Sequence, residues 1–255
     1  MRTIYVIGIG AGNPEHLTLQ AIAAMNRVDV FFTIDKGSAK DDLARLRTDL
    51  LARHVTGEYR VVAARDPERD RAATAYESAV DDWQDRREAV YERMVADELA
   101  ESGTGGFLVW GDPALYDGTL RILDRIAARG AVAFEIVSVP GISSVQALAA
   151  QHRVALNRTG RAFTVTTGRR LAAEGFPADV DDVVVMLDAR QAFAGLPDTD
   201  LDIYWGAYLG TSRQLLVAGD LQAVAAEIVE RRAAARAAAG WIMDTYLLRR
   251  RTISS

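Results

Sequence analysis

The segment Thr3-Ile4-Tyr5-Val6-Ile7-Gly8-Ile9-Gly10-Ala11-Gly12-Asn13-Pro14 passes from an apolar, β-branched stretch straight into glycines. A short unbroken apolar run closed by a turn signal reads as a buried parallel strand, with the glycines as the turn that follows it. Leu17–Arg27 then has helical spacing through Leu17, Ala21, Ala24 and Met25, and Val28–Ile34 is a second apolar run. The pattern repeats along the chain. Asp41–His54 reads as a helix, with Leu43, Leu46 and Leu50 on one face, and Arg60–Ala64 as a weak strand. Ala72–Glu101 reads as a long helix whose charges form a solvated face. Gly103, Gly105 and Gly106 break the pattern. Phe107–Trp110 is predicted as a strand, Leu115–Ala128 as a helix, Ala133–Val139 as a strand and Ser143–Gln151 as a short helix. Strands alternating with helices predict an open, mainly parallel α/β sheet.

The pattern changes beyond residue 160. Arg161–Thr167, Val183–Leu187, Leu201–Tyr208, Gln214–Ala218 and Trp241–Arg249 read as strands, with one clear helix at Leu221–Ala239. That helix is alanine-rich and carries Glu227 and Arg231 at i,i+4. Closely spaced strands with few helices predict a mixed sheet. The polar stretch Arg153–Gly160 suits a linker, so the expected domains are 1–155 and 156–255, both α/β.

The chain has 255 residues, 49% apolar and 25% charged, which is ordinary globular usage. Of 30 basic residues only Lys36 and Lys40 are lysines; against 35 carboxylates the net charge is −5. That balance argues against nucleic acid as a partner. It leaves room for a local arginine-lined pocket, because the guanidinium fork suits carboxylate and phosphate. With no cysteine, disulfides, thiolate metal sites and cysteine nucleophiles are absent. His16, His54 and His152 lie too far apart for ligand spacing, so no metal is expected. No apolar run is long enough to span a membrane, and the chain opens on a strand without a leader, so a cytoplasmic location is expected.

The first glycine turn partly matches the dinucleotide fingerprint G-x-G-x-x-G. Counting from Gly8, the third glycine falls at Asn13, while Asp35 stands where a ribose-binding acid would. Two more strand ends carry unusual turns: Trp110-Gly111-Asp112-Pro113-Ala114-Leu115-Tyr116-Asp117-Gly118 and Val139-Pro140-Gly141-Ile142-Ser143-Ser144. In an open α/β sheet all three would lie on the edge where ligands bind. Ser143 and Asp112 would equally serve as helix caps.

Taken in order, the opening strand with its loop and Leu17-Thr18-Leu19, the Gly111-Asp112-Pro113 turn, and Pro140-Gly141-Ile142-Ser143-Ser144 resemble the tetrapyrrole methylase family. The resemblance covers essentially the whole chain. It departs at Ala11, where the family often has proline, at Tyr116-Asp117-Gly118, and in a longer 56–102 segment. With Trp241-Ile242-Met243-Asp244-Thr245-Tyr246, these departures look most like a branch that methylates carbon 1 of precorrin-5 and releases the acetyl group as acetate.

The resemblance implies an S-adenosylmethionine-dependent methyltransferase with two α/β domains and its active site in the cleft between them, yielding S-adenosylhomocysteine. By position, Ala11, Trp110, Gly111, Asp112, Leu115, Ser143, Ser144, Leu187 and Gly210 would bind the cofactor. Met186 and Tyr208 are alternatives in the looser second half. Asp112 and Tyr116 are the expected catalytic pair for deacetylation, with His152 as a further base. The substrate would be an anionic precorrin, met by some of Arg121, Arg153, Arg158, Arg161, Arg169, Arg170 and Arg213. A homodimer is implied by the resemblance alone. The competing readings are a family member with other regiochemistry, including diphthine synthase, an NAD(P)-dependent oxidoreductase, and a non-catalytic tetrapyrrole carrier.

Overall fold

The computed structural model describes residues 1–35, 41–67, 76–197 and 200–251. Two compact units emerge, residues 1–10 with 14–142 and residues 11–13 with 143–255.

The first unit contains β1 (Arg2–Gly8), α1 (Leu19–Met25), β2 (Val30–Asp35), α2 (Asp41–His54), β3 (Arg60–Arg65), α3 (Tyr76–Glu98), β4 (Thr104–Val109), α4 (Thr119–Arg129) and β5 (Phe134–Val139). Its strands form one sheet in the order β3-β2-β4-β1-β5, every neighbouring pair parallel. Both faces are covered, as continuous apolar strands require. On one face Ile7, Ile9, Phe31 and Leu108 pack with Ala21 and Met25 of α1 and Leu50 of α2. On the other, Ile4, Val6, Phe32 and Phe107 pack with Tyr91 and Val95 of α3 and Leu123 and Ile126 of α4.

The sequence begins the fourth strand at Phe107, yet Gly105 and Gly106 lie inside β4. They are there for packing. A Cβ at Gly105 would stand 2.6 Å from the Phe32 ring, and one at Gly106 2.9 Å from Val28. The charges of α3 are also less solvated than their run implies. Glu88 is buried, accepting hydrogen bonds from Arg125 (3.0 Å) and Arg129 (2.5 Å) of α4. The first residues of the expected long helix, 72–75, lie outside the described residues.

The second unit contains α5 (Ser144–His152), β6 (Thr164–Thr167), α6 (Gly168–Glu174), β7 (Asp182–Met186), β8 (Leu201–Ala207), β9 (Leu215–Asp220), α7 (Leu221–Ala239) and β10 (Asp244–Arg250). Its sheet runs β6-β7-β10-β8-β9 and is mixed: β6 pairs parallel to β7 and the remaining pairs are antiparallel. Trp205, Tyr246, Phe193, Leu201 and Ile228 form its core. The sequence divides the chain at 155/156. In the structure α5 groups with the second unit, because it packs on β8 and β10. The short helix α6 has no periodic signature, since Leu171 is its one large core residue. Thr167 starts it by accepting from the Arg170 N–H at 3.4 Å.

Candidate active site

The turns after β1, β4 and β5 meet at the carboxyl edge of the first sheet. Gly10 and Gly111 exchange backbone hydrogen bonds at 3.3 and 2.8 Å, with φ of +83° and +70°. A Cβ at Gly8 would lie 2.6 Å from the Gly141 nitrogen, and one at Gly141 would lie 2.1 Å from the Gly111 carbonyl oxygen. Only glycine lets these backbones touch.

Asp112 locks the arrangement. Its Oδ1 accepts from Ala114 N–H at 2.8 Å and its Oδ2 from Gly141 N–H at 2.9 Å. The expected helix cap by Asp112 is therefore corrected: its carboxylate joins two turns. Asp117 serves the next helix instead, accepting from Thr119 N–H at 2.8 Å, and α4 starts at Thr119 rather than Leu115. Leu115 closes the turn by donating its N–H to the Asp112 carbonyl at 3.2 Å. Tyr116 follows with φ of +54° and its side chain 46% exposed.

Two buried polar atoms on this edge have no partner among the described residues: the Trp110 indole nitrogen and His16 Nδ1. His16 packs against Gly10, leaving no room for a Cβ there. Burial holds its pKa below the ordinary histidine value, outweighing nearby Glu15.

In the second unit, Ser143 caps α5. Its hydroxyl accepts from Val145 N–H at 3.1 Å and bonds Gln146, completing a capping box. The Ser144 and Thr245 hydroxyls lie 3.0 Å apart, and Thr245 pairs with Met186 at the carboxyl end of β7. Leu187 follows Met186, 63% exposed and at φ +55°. An exposed leucine in a left-handed conformation is costly, and the adjacent Asp188 sustains the turn. Asp188 accepts from the N–H groups of Arg190 (3.0 Å) and Ala192 (2.7 Å) and from the Tyr246 hydroxyl (2.7 Å). Gly210, at φ +78°, donates to Gln214 Oε1 at 2.8 Å. Tyr208 is buried, its hydroxyl donating to the Trp241 carbonyl. Ala11 is buried as well.

His152 is engaged structurally, its Nε2–H donating to the Trp205 carbonyl at 3.0 Å. Burial lowers its pKa more than that bond raises it. Several of the arginines expected to meet substrate have other partners. Arg158 donates to the Arg250 carbonyl, Arg161 lies 3.9 Å from Asp181, and Arg170 pairs with Glu174 at 2.8 Å. Arg213 stacks over Tyr208, and Arg153 and Arg169 are exposed. Arg121 alone of the set lines a cavity of the first unit, together with Arg47 and Arg87. Sequence reasoning missed those two, although Arg47 shares a helix face with Leu50, and Arg87 lies four residues from both Trp83 and Tyr91.

The model of the Tetrapyrrole (Corrin/Porphyrin) Methylases matches residues 3–225. The chain belongs to the tetrapyrrole methylase family. It is 51% identical over 251 residues to a precorrin-6A synthase (deacetylating) from Sinorhizobium sp, covering 98% of this chain and 96% of that one. Its structure resembles that of a cobalamin-synthesis-related protein from Corynebacterium diphtheriae, with a TM-score of 0.84, 37% identity, and coverage of 98% and 99% of the two chains. It shares its fold with a uroporphyrin-III C-methyltransferase from Thermus thermophilus solved with S-adenosylhomocysteine (TM-score 0.57, 19% identity, 96% and 91% covered). Tetrapyrrole methylases are S-adenosylmethionine-dependent, and this chain is a methyltransferase of that kind.

The residues present suit that cofactor. The glycine turns form a cradle that any Cβ would fill. The buried Trp110 indole N–H, without a partner among the described residues, is a donor suited to a polar ligand atom. By contrast, the nicotinamide reading needs a helix opening directly from the glycine turn. Here Pro14–His16 forms a 3-10 turn and α1 begins only at Leu19.

Proposed function

We propose that the protein is a precorrin-6A synthase (deacetylating): a C-methyltransferase acting on carbon 1 of precorrin-5, with release of the acetyl group as acetate, to give precorrin-6A. The observation that carries this reading is 51% identity, across 98% of the chain, to a relative of that name. The three interlocked turns of the first sheet are consistent with it.

S-adenosylmethionine, when bound, supplies an electrophilic methyl group on a sulfonium. Trp110, Gly111, Asp112 and Leu115 of the first unit would hold it, as would Ala11, Ser143, Ser144, Leu187 and Gly210 of the second. Their task is to fix the cofactor and exclude water, because an oriented reactant pair removes much of the barrier to a displacement. Methylation forms a carbon–carbon bond at the macrocycle and needs no base when the ring presents an enamine-like carbon. Deacetylation needs water to add to the acetyl carbonyl. The bond from that carbonyl to the ring then breaks, its electron pair returns to the macrocycle, and acetate leaves.

Of the two side chains expected to assist, Asp112 has both carboxylate oxygens committed to backbone N–H groups. It is better suited to positioning the turns. Tyr116 is exposed and has no hydrogen-bond partner among the described residues. It is the better donor to the oxygen of the acetyl carbonyl as charge develops there. A homodimer in the cytoplasm completes the reading, on family resemblance. Among the described residues, no helix is long and apolar enough to cross a membrane.

The test is incubation of the full chain with S-adenosylmethionine and precorrin-5, followed by mass spectrometry. Gain of one methyl with loss of the acetyl group is expected. Gain of methyl alone would assign a different regiochemistry within the family.

A further inference from the structure

The cavity lined by Arg47, Arg87 and Arg121 lies wholly within the first unit and has a volume of about 270 Å³. Thr33 and Ile34 of β2 and Leu108 and Val109 of β4 form its base, at the sheet edge that carries the glycine turns. Tyr116 borders it. Trp83, Arg87 and Tyr91 of α3 supply one wall, so the cavity depends on the long 56–102 segment.

Each guanidinium is held differently. Arg87 is fixed from behind, its Nε 2.8 Å from Asp66 Oδ1 and its plane 4.9 Å from the centre of the Trp83 ring. Arg47 donates its Nε–H to the Leu108 carbonyl at 3.0 Å, and no carboxylate among the described residues lies within ion-pair distance of it. Burial lowers its pKa, partly offset by Asp117 and Tyr91 at longer range. Arg121 is exposed at the rim and has no partner among the described residues. The cavity's own carboxylate, Asp117, accepts from Thr119 N–H. Asp66 thus pairs with Arg87, Asp117 acts on Arg47 only at longer range, and among the described residues the three guanidinia of the lining outnumber these two carboxylates by one.

A partly buried guanidinium without a counter-ion is unfavourable in the free protein and becomes favourable when an anion arrives. The cavity is too small for a macrocycle but large enough for a short carboxylate arm. The aromatic wall offers a flat apolar surface beside the charge, with Tyr91 stacked on Phe107 at 5.0 Å.

We propose that this cavity receives one carboxylate side arm of the macrocyclic substrate, with Arg47 and Arg121 as its ligands and Arg87 held behind them. The inference rests on the proposed reading of a polycarboxylate tetrapyrrole substrate. It assigns the long α3 segment a role in orienting that substrate.

The experiment is a fluorescence titration of the full chain with uroporphyrin III, an eight-carboxylate tetrapyrrole, and with its octamethyl ester. Charge-assisted hydrogen bonds contribute about 1.5–3 kcal/mol each, so Arg121→Gln or Arg47→Gln should weaken uroporphyrin binding about tenfold or more. Affinity for S-adenosylhomocysteine, measured by calorimetry, should stay unchanged. Arg121 is exposed, so its variant keeps the test valid if Arg47→Gln fails to fold. Unchanged uroporphyrin affinity in both folded variants would overturn the proposal. So would equal binding of acid and ester, or no binding by the parent protein. Acetate carries the same headgroup as the arm. If acetate binding proves sensitive to Arg47 and Arg121 while uroporphyrin binding does not, the cavity is a product site and the arm assignment falls. All these readouts concern binding, so they stand apart from the product masses that test the reaction.

Discussion

Asp112 Oδ2 accepts the Gly141 N–H at 2.9 Å, joining the turn after β4 to the turn after β5 across a sheet in which β1 lies between those two strands. Its other oxygen holds Ala114 N–H, so the carboxylate has one backbone donor on each side. Asp112→Asn preserves the shape but supplies only one acceptor oxygen. Whichever way the amide turns, one N–H faces another. The loss of one charge-assisted bond, about 1.5–3 kcal/mol, should loosen the Gly141 turn and weaken S-adenosylhomocysteine binding about tenfold or more, read by calorimetry. Unchanged affinity together with loss of acetate release would instead make Asp112 the base.

That relationship shows where sequence reading stops. The three turns were legible because each carries its own local signature, and the parallel-then-mixed architecture followed from alternation. The partner of Asp112 lies 29 residues away and is a backbone N–H. A side chain that bonds to main chain leaves no pattern in its partner's residue type. Gly105 and Gly106 look like breakers in the sequence because a glycine needed for close packing is the same letter as one needed for a turn. Glu88 and Arg232 were hidden in runs of charge, where burial of a single member does not alter the composition.

Glu88 joins α3 to α4. Its side chain is 3% exposed, whereas those of Arg125 and Arg129 are 50% and 43% exposed. Glu88→Ala leaves Arg129 with Glu92 at 3.2 Å and Arg125 with Gln84 at 3.2 Å, both half-exposed to water, so the cost is about 2 kcal/mol, as for loss of hydrogen bonds to a charged group. Arg125→Ala leaves Glu88 paired with Arg129 and should cost about 1 kcal/mol or less, as for half-exposed ion pairs. Urea midpoints of the two variants will separate these cases, and equal shifts would contradict the asymmetry.

Arg232 is the opposite case. It and Asp244 are each 5% exposed and lie 2.9 Å apart. Asp244 also accepts from the Trp205 indole at 3.0 Å, and Arg232 donates to the Asp188 carbonyl at 2.7 Å. Burial and the adjacent Asp188 push the Tyr246 hydroxyl far above its ordinary pKa, so it remains a neutral donor. Arg232→Met leaves Asp244 buried without its cation, an uncompensated charge worth about 3–5 kcal/mol. A large fall in the unfolding midpoint is expected, with altered Trp205 near-ultraviolet dichroism. A loss under 1 kcal/mol, the usual range for exposed pairs, would show that water reaches the pair.

His16 and His152 set the behaviour under mild acid. Burial is the main cause that lowers both folded pKa values below the ordinary histidine value of about 6.5. In the window just below 6.5 the unfolded chain therefore binds more protons than the folded one. Stability rises with pH wherever the unfolded state holds the extra protons, so this contribution is present above about 6.5 and is lost as pH falls toward the folded values. Melting temperatures should decline from pH 7.5 to 5.5. The decline should be shallower in the double variant His16→Asn, His152→Gln, whose side chains do not titrate there. Parallel profiles for parent and variant would assign the acid sensitivity to other groups.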